Sequence, residues 1–193
     1  MKNFATKVFK YRSYTPIPFL IVMVIFQQAT ILTLVSGFVV ALCGEFLRLW
    51  GVSIAGSETR TTGRVGGTYL IVTGPFAYVK NPLYLGNILL YMGIGIMSWA
   101  LFPYLQIVAF LFFYFQYHVI ITEEEGFLRE KFGKDYDEYY NAVPRLFPRI
   151  TPYKSSGVEQ PPFKLHMGLR SETRTLQAFS AVTLILVILY LIG

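Results

Sequence analysis

Two polar clusters interrupt an otherwise apolar chain, and they carry the side chains whose types could do chemistry. The first occupies residues 80–87 and reads KNPLYLGN, and the second is an acidic triplet at residues 123–125. Amide, phenol and ammonium groups of the first cluster can bind a polar ligand. Adjacent carboxyl groups raise one another's proton affinity. Such groups are typical of ligand-binding or proton-accepting sites.

Both clusters also have a purely structural interpretation. Asn81 is a good helix N-cap residue, Pro82 suits the first position of a helix, and Tyr84 suits a membrane interface. The acids can form a solvated charge run that favours a helix N-terminus. The local pattern leaves both interpretations open.

Further polar candidates are more isolated. Glu45 and Arg48 lie three positions apart and can pair on one helix face. Ionisable groups at membrane depth are functional candidates, although a structural pair fits this spacing equally well. His118 is either a packing residue near the lipid head groups or a base. The two histidines and one cysteine are scattered, so we expect no metal site.

Composition identifies the environment of these residues. Of the 193 residues, 54% are hydrophobic and 15% are charged, whereas about 25% charged is usual in soluble domains. An integral membrane protein is therefore predicted, and large soluble enzyme folds are excluded. The net charge of +6 is not clustered on a polar domain as in nucleic-acid readers, so we expect no nucleic-acid partner.

The apolar blocks predict five membrane helices, at residues 16–28, 31–53, 82–98, 104–121 and 175–192. A crossing needs about 20 residues at ~1.5 Å rise each, so a polar break at residues 27–30 divides the first block. Close helix packing is the expected role of Gly93 and Gly95. The predicted fold is an all-α integral membrane protein with about five transmembrane helices and a cytoplasmic amphipathic helix.

The distribution of lysine and arginine predicts the orientation. These residues concentrate before the first helix, between the second and third, and between the fourth and fifth, whereas residues 27–30 and 99–103 carry no charge. Cytoplasmic loops carry the excess of basic residues. We therefore expect the N-terminus and the active site on the cytoplasmic side and the C-terminus on the other.

The region between the fourth and fifth helices contains the predicted cytoplasmic helix, at residues 123–141. Apolar residues recur there at spacings of three and four, namely Leu128, Phe132, Tyr136, Tyr139 and Val143. Gly133 is expected to interrupt the helix, with Asp135 and Glu138 as a capping pair beyond it. The domain prediction is a membrane core with four transmembrane helices at 1–150, a linker at 151–174 and a C-terminal transmembrane helix at 175–193.

The two clusters together resemble a known family. The run LIVTGPFAYVKNPLYLGN at residues 70–87, followed by EEEGFLREKFGKDYDEYYNAVPRLFPR at residues 123–149, is similar to integral-membrane methyltransferases. These include phospholipid N-methyltransferases and isoprenylcysteine carboxyl methyltransferases. The likeness spans roughly residues 44–149. Lys80 replaces the usual arginine, and Asn81 replaces the histidine of the carboxyl methyltransferase branch. The second change favours a phospholipid-type or generic bacterial-type member over a true isoprenylcysteine enzyme.

The resemblance implies methyl transfer from S-adenosylmethionine to a lipid or prenyl-type acceptor at the membrane–cytoplasm interface. The implied cofactor-binding residues are Gly74, Lys80, Asn81, Pro82, Tyr84, Gly86, Glu124 and Glu125. The candidate catalytic residues are Glu125, Arg145 and His118, and the candidate acceptor-binding residues are Arg48, Arg145 and Tyr136.

The acceptor remains open between two chemistries. A lipid amine is mostly protonated at neutral pH and needs a proton acceptor, for which Glu125 or His118 is the candidate. A carboxylate is already ionised and needs orientation by Arg145, Lys80 or Arg48. The alternative from another class is a non-enzymatic membrane protein, such as a transporter subunit or scaffold, which predicts ionisable groups along a path near the bilayer midplane.

Overall fold

The computed structural model describes residues 2–56, 69–154 and 157–192, and this part of the chain contains helices and no strand. The helices are α1 (Lys2–Tyr11), α2 (Pro16–Ile25), α3 (Ile31–Ala55), α4 (Pro82–Ser98), α5 (Tyr104–Phe132), α6 (Lys134–Ala142) and α7 (Leu165–Ile192). A short 3-10 turn, Gly74–Ala77, precedes α4. The all-helical class is as predicted.

Three of the described helices, α3, α5 and α7, are long and apolar enough to cross a membrane. The pair α1–α2 counts as a fourth span if it is taken as one segment bent by 46°. Helix α4 is apolar but has only 17 residues, which is short for ~30 Å of hydrocarbon. The structure thus supports an integral membrane protein with three to four candidate spans, and the prediction of about five is not confirmed.

Helices α3 and α4 pack along a seam of glycines. Gly37 and Gly44 of α3 face Gly93 and Gly86 of α4, and a Cβ placed on Gly93 would lie 2.6 Å from the carbonyl oxygen of Gly37. Small residues allow two backbones to approach this closely. The predicted packing role of Gly93 is confirmed.

The polar break between the first two predicted helices is also confirmed. Helix α2 ends at Ile25, and Thr30 begins α3 with a capping box. The Thr30 hydroxyl accepts from the Thr33 amide at 3.2 Å, and the Thr33 hydroxyl accepts from the Thr30 amide at 2.9 Å. These bonds satisfy amides that a helix start leaves without partners.

Several predicted boundaries differ from the structure. Helix α5 runs without interruption from Tyr104 to Phe132, because the glutamates, leucine, lysine and arginine after residue 121 are good helix formers. Gly133 does separate α5 from α6, but no side chain caps α6, so the capping pair of Asp135 and Glu138 is wrong. Asp137 instead accepts from Arg129 Nε at 2.6 Å.

Helix α7 begins at Leu165, ten residues before the predicted start at 175. The amide of Lys164 donates to the Ser53 carbonyl at 2.7 Å, and Gly168 packs directly against Leu49 and Ser53. Contact with α3 thus stabilises the first turns of α7. Their polar sequence is the reason that a linker was predicted there.

The connection after α6 runs alongside the segment before α4. The Lys80 amide donates to the Pro144 carbonyl at 2.9 Å, and the Arg149 amide donates to the Tyr78 carbonyl at 2.9 Å. The Tyr139 hydroxyl donates to the Phe76 carbonyl at 2.8 Å. These bonds bring the two sequence clusters together at one end of the helical bundle.

Candidate functional site

A cavity of about 810 Å³ extends from the acidic triplet to the beginning of α7. Helices α1 to α7 all contribute to its wall. The described residues that give it polar groups are Arg12, Ser13, Arg48, Tyr69, Lys80, Asn81, Tyr84, Asn87, Tyr91, Tyr117, Glu124, Glu125, Tyr136, Tyr139, Glu172, Arg174 and Thr175. Ligand sites in proteins are typically concave, of about 300–1,000 Å³, with a few polar groups in an apolar wall.

The triplet end of the cavity contains a half-buried carboxyl–phenol pair. The Tyr84 hydroxyl of α4 donates to Glu124 Oε1 of α5 at 2.5 Å, and the Tyr84 ring stacks on Tyr117 with centroids 4.9 Å apart. A hydrogen bond to an ionised acceptor is short and strong. The pair fixes the Glu124 carboxyl at the cavity wall, and the stacked rings provide an aromatic surface beside it.

Glu125 is bound by two cations. Arg145, which follows α6, donates from Nε to Glu125 Oε1 at 3.1 Å and from Nη2 to Oε2. Lys80 Nζ lies 3.6 Å from Oε1. The arrangement ties α5 to the segment before α4 and to the connection after α6, so Glu125 positions the surrounding backbone as well as facing the cavity.

Lys80 has a mixed environment. Its ammonium group lies 3.5 Å from the centroid of the Tyr140 ring and donates to the Tyr140 carbonyl at 3.1 Å. Burial lowers the pKa of Lys80 below its usual value, and the nearby Glu125 opposes this shift. The cation–π contact and the carboxylate compensate for the water that the ammonium group has lost.

Asn81 occupies the N-cap position of α4, with Pro82 at the first turn, as the structural interpretation predicted. However, its side chain makes no capping bond. The Asn81 amide group donates instead to the Arg145 carbonyl at 3.0 Å. The residue therefore joins the two clusters, and both it and Pro82 line the cavity.

Arg48 of α3 lies at the other end of the cavity, within a second cluster of polar side chains. Its Nη2 atom donates to Glu172 Oε2 of α7 at 2.5 Å and to Thr175 Oγ1 at 3.3 Å. Its Nη1 atom donates to Asn87 Oδ1 of α4. Glu45 Oε2 lies 3.5 Å from Arg48 Nε, so the predicted pairing within α3 is confirmed.

Four of the predicted site residues do not line the cavity. His118 is exposed, with Nδ1 3.2 Å from Arg145 Nη1, and Arg145 is directed toward Glu125 and His118. Gly86 packs against Gly44 and the Arg48 side chain. Gly74, with φ of +59°, begins the 3-10 turn and packs against Ile54 and Trp50. The remaining predicted residues, Arg48, Lys80, Asn81, Pro82, Tyr84, Glu124, Glu125 and Tyr136, all line it.

Sequence reasoning missed the contribution of α7 and the N-terminal region. Glu172 and Thr175 reach the cavity from α7, and Arg12 reaches it from the bend between α1 and α2. Glu172 lies 124 positions from its partner Arg48, so no local spacing relates them. The available signal was an acid within the polar start of an otherwise apolar helix.

Known proteins with similar sequences align with part of this chain. The nickel-cobalt-cadmium resistance protein NccN of Alcaligenes xylosoxydans xylosoxydans is 29% identical over 101 residues, which cover 52% of this chain and 44% of that protein. The cobalt-zinc-cadmium resistance protein CzcN of Cupriavidus metallidurans is 32% identical over 108 residues, which cover 55% and 45%. The aligned region thus spans less than half the length of these relatives.

The family comparison covers the elements that build the triplet end of the cavity. A model of the family described as phospholipid methyltransferase matches residues 32–135, from the first turn of α3 to the beginning of α6. The matched region contains Arg48, Lys80, Tyr84, Glu124 and Glu125. Because the match covers more than half of the 193 residues, the chain belongs to the phospholipid methyltransferase family.

Proposed function

We propose that this protein transfers a methyl group from S-adenosylmethionine to a lipid or prenyl-type acceptor, with a phospholipid-like amine favoured. The observation that carries the proposal is the cavity shared by the family-matched residues and the membrane helices. Its triplet end presents carboxyl, amide and phenol groups, and apolar side chains of α2, α4 and α7 line the wall beside the polar side chains around Arg48. A polar cofactor and a hydrophobic acceptor can therefore meet in one cavity.

The side chains at the triplet end fit this cofactor, which is a sulfonium cation with an adenosine and an amino-acid group. Carboxyl groups and aromatic faces attract cations, and Glu124, Glu125, Tyr84 and Tyr136 supply both. We assign Glu124, Glu125, Lys80, Asn81, Pro82 and Tyr84 to cofactor binding. Gly74 and Gly86 support the same end by shaping the backbone.

When bound, S-adenosylmethionine supplies an electrophilic methyl carbon: the acceptor's lone pair forms the new bond as the sulfur–carbon bond breaks, and S-adenosylhomocysteine leaves. The protein's part is alignment and exclusion of water, which contribute most to such displacements. An amine acceptor must also lose a proton. Because Lys80 and Arg145 both bind Glu125, we assign proton acceptance to Glu124. Arg145 then positions Glu125 by binding its carboxyl group, and His118 contacts Arg145.

The orientation belongs to the same proposal. The positive charges before α2, between α3 and α4, and after α5 favour a cytoplasmic position for the triplet end. Cofactor would then enter from the cytoplasm and acceptor from the membrane.

A carboxyl O-methyltransferase is the second candidate, since the family resemblance includes that branch. A non-enzymatic transporter or scaffold is the alternative that a negative binding result would favour.

Calorimetry in detergent tests the cofactor assignment directly. We expect the purified protein to bind S-adenosylmethionine and Glu124→Ala to weaken the affinity at least about ten-fold, as expected when one charge-assisted contact is lost. Glu123→Ala is the matched control, because Glu123 is exposed on the same helix and does not line the cavity. No detectable binding by the unmodified protein, or equal affinity in both variants, contradicts the proposal.

The product identifies the acceptor class. Protein supplied with radiolabelled cofactor and membrane lipids should form a base-stable methylated amine. A base-labile product indicates a methyl ester and would replace the amine assignment with the carboxyl alternative.

A further inference from the structure

We propose that Arg12 and Arg174 bind the phosphate group of a phospholipid acceptor inside the cavity. The inference rests on the proposed methyl transfer and specifies the acceptor's head group as a phosphodiester that carries an amine. Both arginines lie outside the family-matched residues 32–135, so membership of the family does not assign them a role.

The bend before α2 brings a cation and a hydroxyl group to the cavity wall, and apolar side chains continue that wall along α2. The residues that line the cavity here include Arg12, Ser13, Pro16, Ile17 and Leu20. Arg12 Nη1 donates to the Phe9 carbonyl at 2.7 Å, and the guanidinium carbon lies 3.7 Å from the centroid of the Phe9 ring. Arginine has five N–H donors, so the group is anchored and still has donors for a ligand.

Helix α7 repeats this arrangement at the same spacing. An arginine and a hydroxyl residue again come first, and apolar residues follow four, five and eight positions after the arginine. The residues are Arg174, Thr175, Ala178, Phe179 and Val182, and all of them line the cavity. Such spacings place residues on one side of a helix, so α7 presents its cation and its apolar side chains to the same cavity.

Helix α4 lies between these two walls. Met23 of α2 and Phe179 of α7 belong to one core cluster with Leu90 of α4. Leu90 also lines the cavity, and the polar residues Tyr84 and Asn87 precede it on the same helix. Polar groups therefore come before apolar ones along all three segments, which matches the head group and the chains of a phospholipid.

The polar parts of the three segments lie near one another. Arg48 donates to both Asn87 of α4 and Thr175 of α7. The charge of Arg12 acts on Tyr84 of α4. The head group of a lipid whose chains lie between α2 and α7 therefore meets cations from both walls.

The charges beside the two arginines complement a zwitterion. Among the residues that the structure describes, neither Arg12 nor Arg174 forms an ion pair with a carboxylate. Guanidinium groups suit phosphate oxygens in charge and in geometry. The charge of Arg12 also acts on Glu124, so a phosphate at Arg12 brings an ethanolamine amine, two carbon atoms away, toward the proposed proton acceptor.

Native mass spectrometry of the protein in detergent measures lipid binding without turnover. The probes are dioleoylphosphatidylethanolamine and dioleoylglycerol, which has the same chains but no phosphate. The phospholipid should bind about ten-fold more tightly, as expected for charge-assisted bonds. Millimolar inorganic phosphate should not displace it, because the chains contribute to the affinity. Equal affinity for the two lipids, or displacement by inorganic phosphate, would overturn the inference.

Substitutions locate the phosphate. Arg174→Gln and Arg12→Gln should each weaken phospholipid binding about ten-fold and leave dioleoylglycerol binding unchanged, whereas Arg174→Lys, which keeps the charge, should retain most of the affinity. The matched control is Arg170→Gln, at an exposed position one turn earlier on α7 that does not line the cavity. Equal phospholipid affinity in Arg174→Gln and Arg170→Gln would contradict the assignment.

A carboxylate probe distinguishes a phosphate site from a general anion site. N-acetyl-S-farnesylcysteine presents a free carboxylate and no phosphate. Its binding should depend much less on Arg174 than phospholipid binding does, because it has no amine to meet the acidic end of the cavity. Equal weakening of both ligands by Arg174→Gln would assign the arginines to anions in general and overturn the phosphate assignment.

Cofactor affinity separates this inference from the function on which it rests. Arg174→Gln should bind S-adenosylmethionine within about two-fold of the unmodified protein, since separate sites are independent, and this result also shows that the variant is folded. Cofactor binding without phosphate-dependent lipid binding overturns the lipid site alone. Phosphate-dependent lipid binding without cofactor binding contradicts the proposed function instead.

Discussion

Tyr84 links the apolar part of the cavity to its acidic end. Its ring is stacked on Tyr117, and its hydroxyl is bonded to Glu124. The phenol thus holds one carboxyl oxygen in place while the other side of the carboxyl group faces the cavity. The role that we assign to Glu124 requires this fixed orientation, because a displaced binding group loses its alignment with ligand.

Tyr84→Phe tests that role with a single-atom change. Loss of a hydrogen bond to a charged group typically costs about 1.5–3 kcal/mol, so we expect S-adenosylmethionine affinity to fall about ten-fold in calorimetry. Tyr114→Phe removes a hydroxyl from the same kind of residue on α5 outside the cavity wall and should bind normally. Equal affinities in the two variants would show that Tyr84 does not orient Glu124.

At the residue scale, local rules predicted positions better than partners. Asn81 and Pro82 were correctly placed at the start of a helix, and Glu45 was correctly paired with Arg48. The Asn81 side chain, however, bonds to the connection after α6, and Arg48 bonds to α7. Such partners depend on tertiary packing between distant segments, which periodicity and capping preferences do not encode.

At the scale of elements, the glycine seam makes a prediction about stability. Gly93→Leu should markedly lower the midpoint of thermal unfolding in detergent, because overpacking typically costs about 1–3 kcal/mol and backbone of α3 occupies the space. Gly126→Ala is the contrasting control within α5, where an added Cβ meets no atom within 4 Å.

The control should leave the midpoint unchanged or raise it slightly, since replacing a helical glycine by alanine stabilises by about 0.4–1 kcal/mol. A similar midpoint for both variants would mean that α3 and α4 are not in close contact. Native-gel or size-exclusion profiles distinguish unfolding from aggregation.

Helix existence was predicted well, but helix ends were predicted poorly. The apolar blocks correctly located α2 to α5 and the apolar half of α7. The polar ends of α5 and α7 were missed because hydrophobicity marks only the apolar part of a helix, whereas both helices continue into charged sequence. Residues 123–132 and 165–174 belong to those extensions, and both carry residues of the cavity wall.

At the scale of the whole molecule, the distribution of charge predicts a single orientation in the membrane. In a Cys43→Ser background, we expect Thr151→Cys to react with a membrane-impermeant maleimide only in inside-out vesicles. Gln28→Cys, in the uncharged turn before α3, should react only in right-side-out vesicles. Labelling of both positions from the same side would contradict the topology and the proposed cytoplasmic entry of cofactor.

The same seam of glycines between α3 and α4 also determines which parts of the molecule can move. At Gly37, Gly44 and Gly93 the backbones of the two helices are in direct contact, so the pair forms a rigid frame. A lipid that enters the cavity must then displace α2 or the apolar part of α7, whose contacts with that frame are made by side chains. Exchange of acceptor and product would therefore be limited by the motion of these two outer helices.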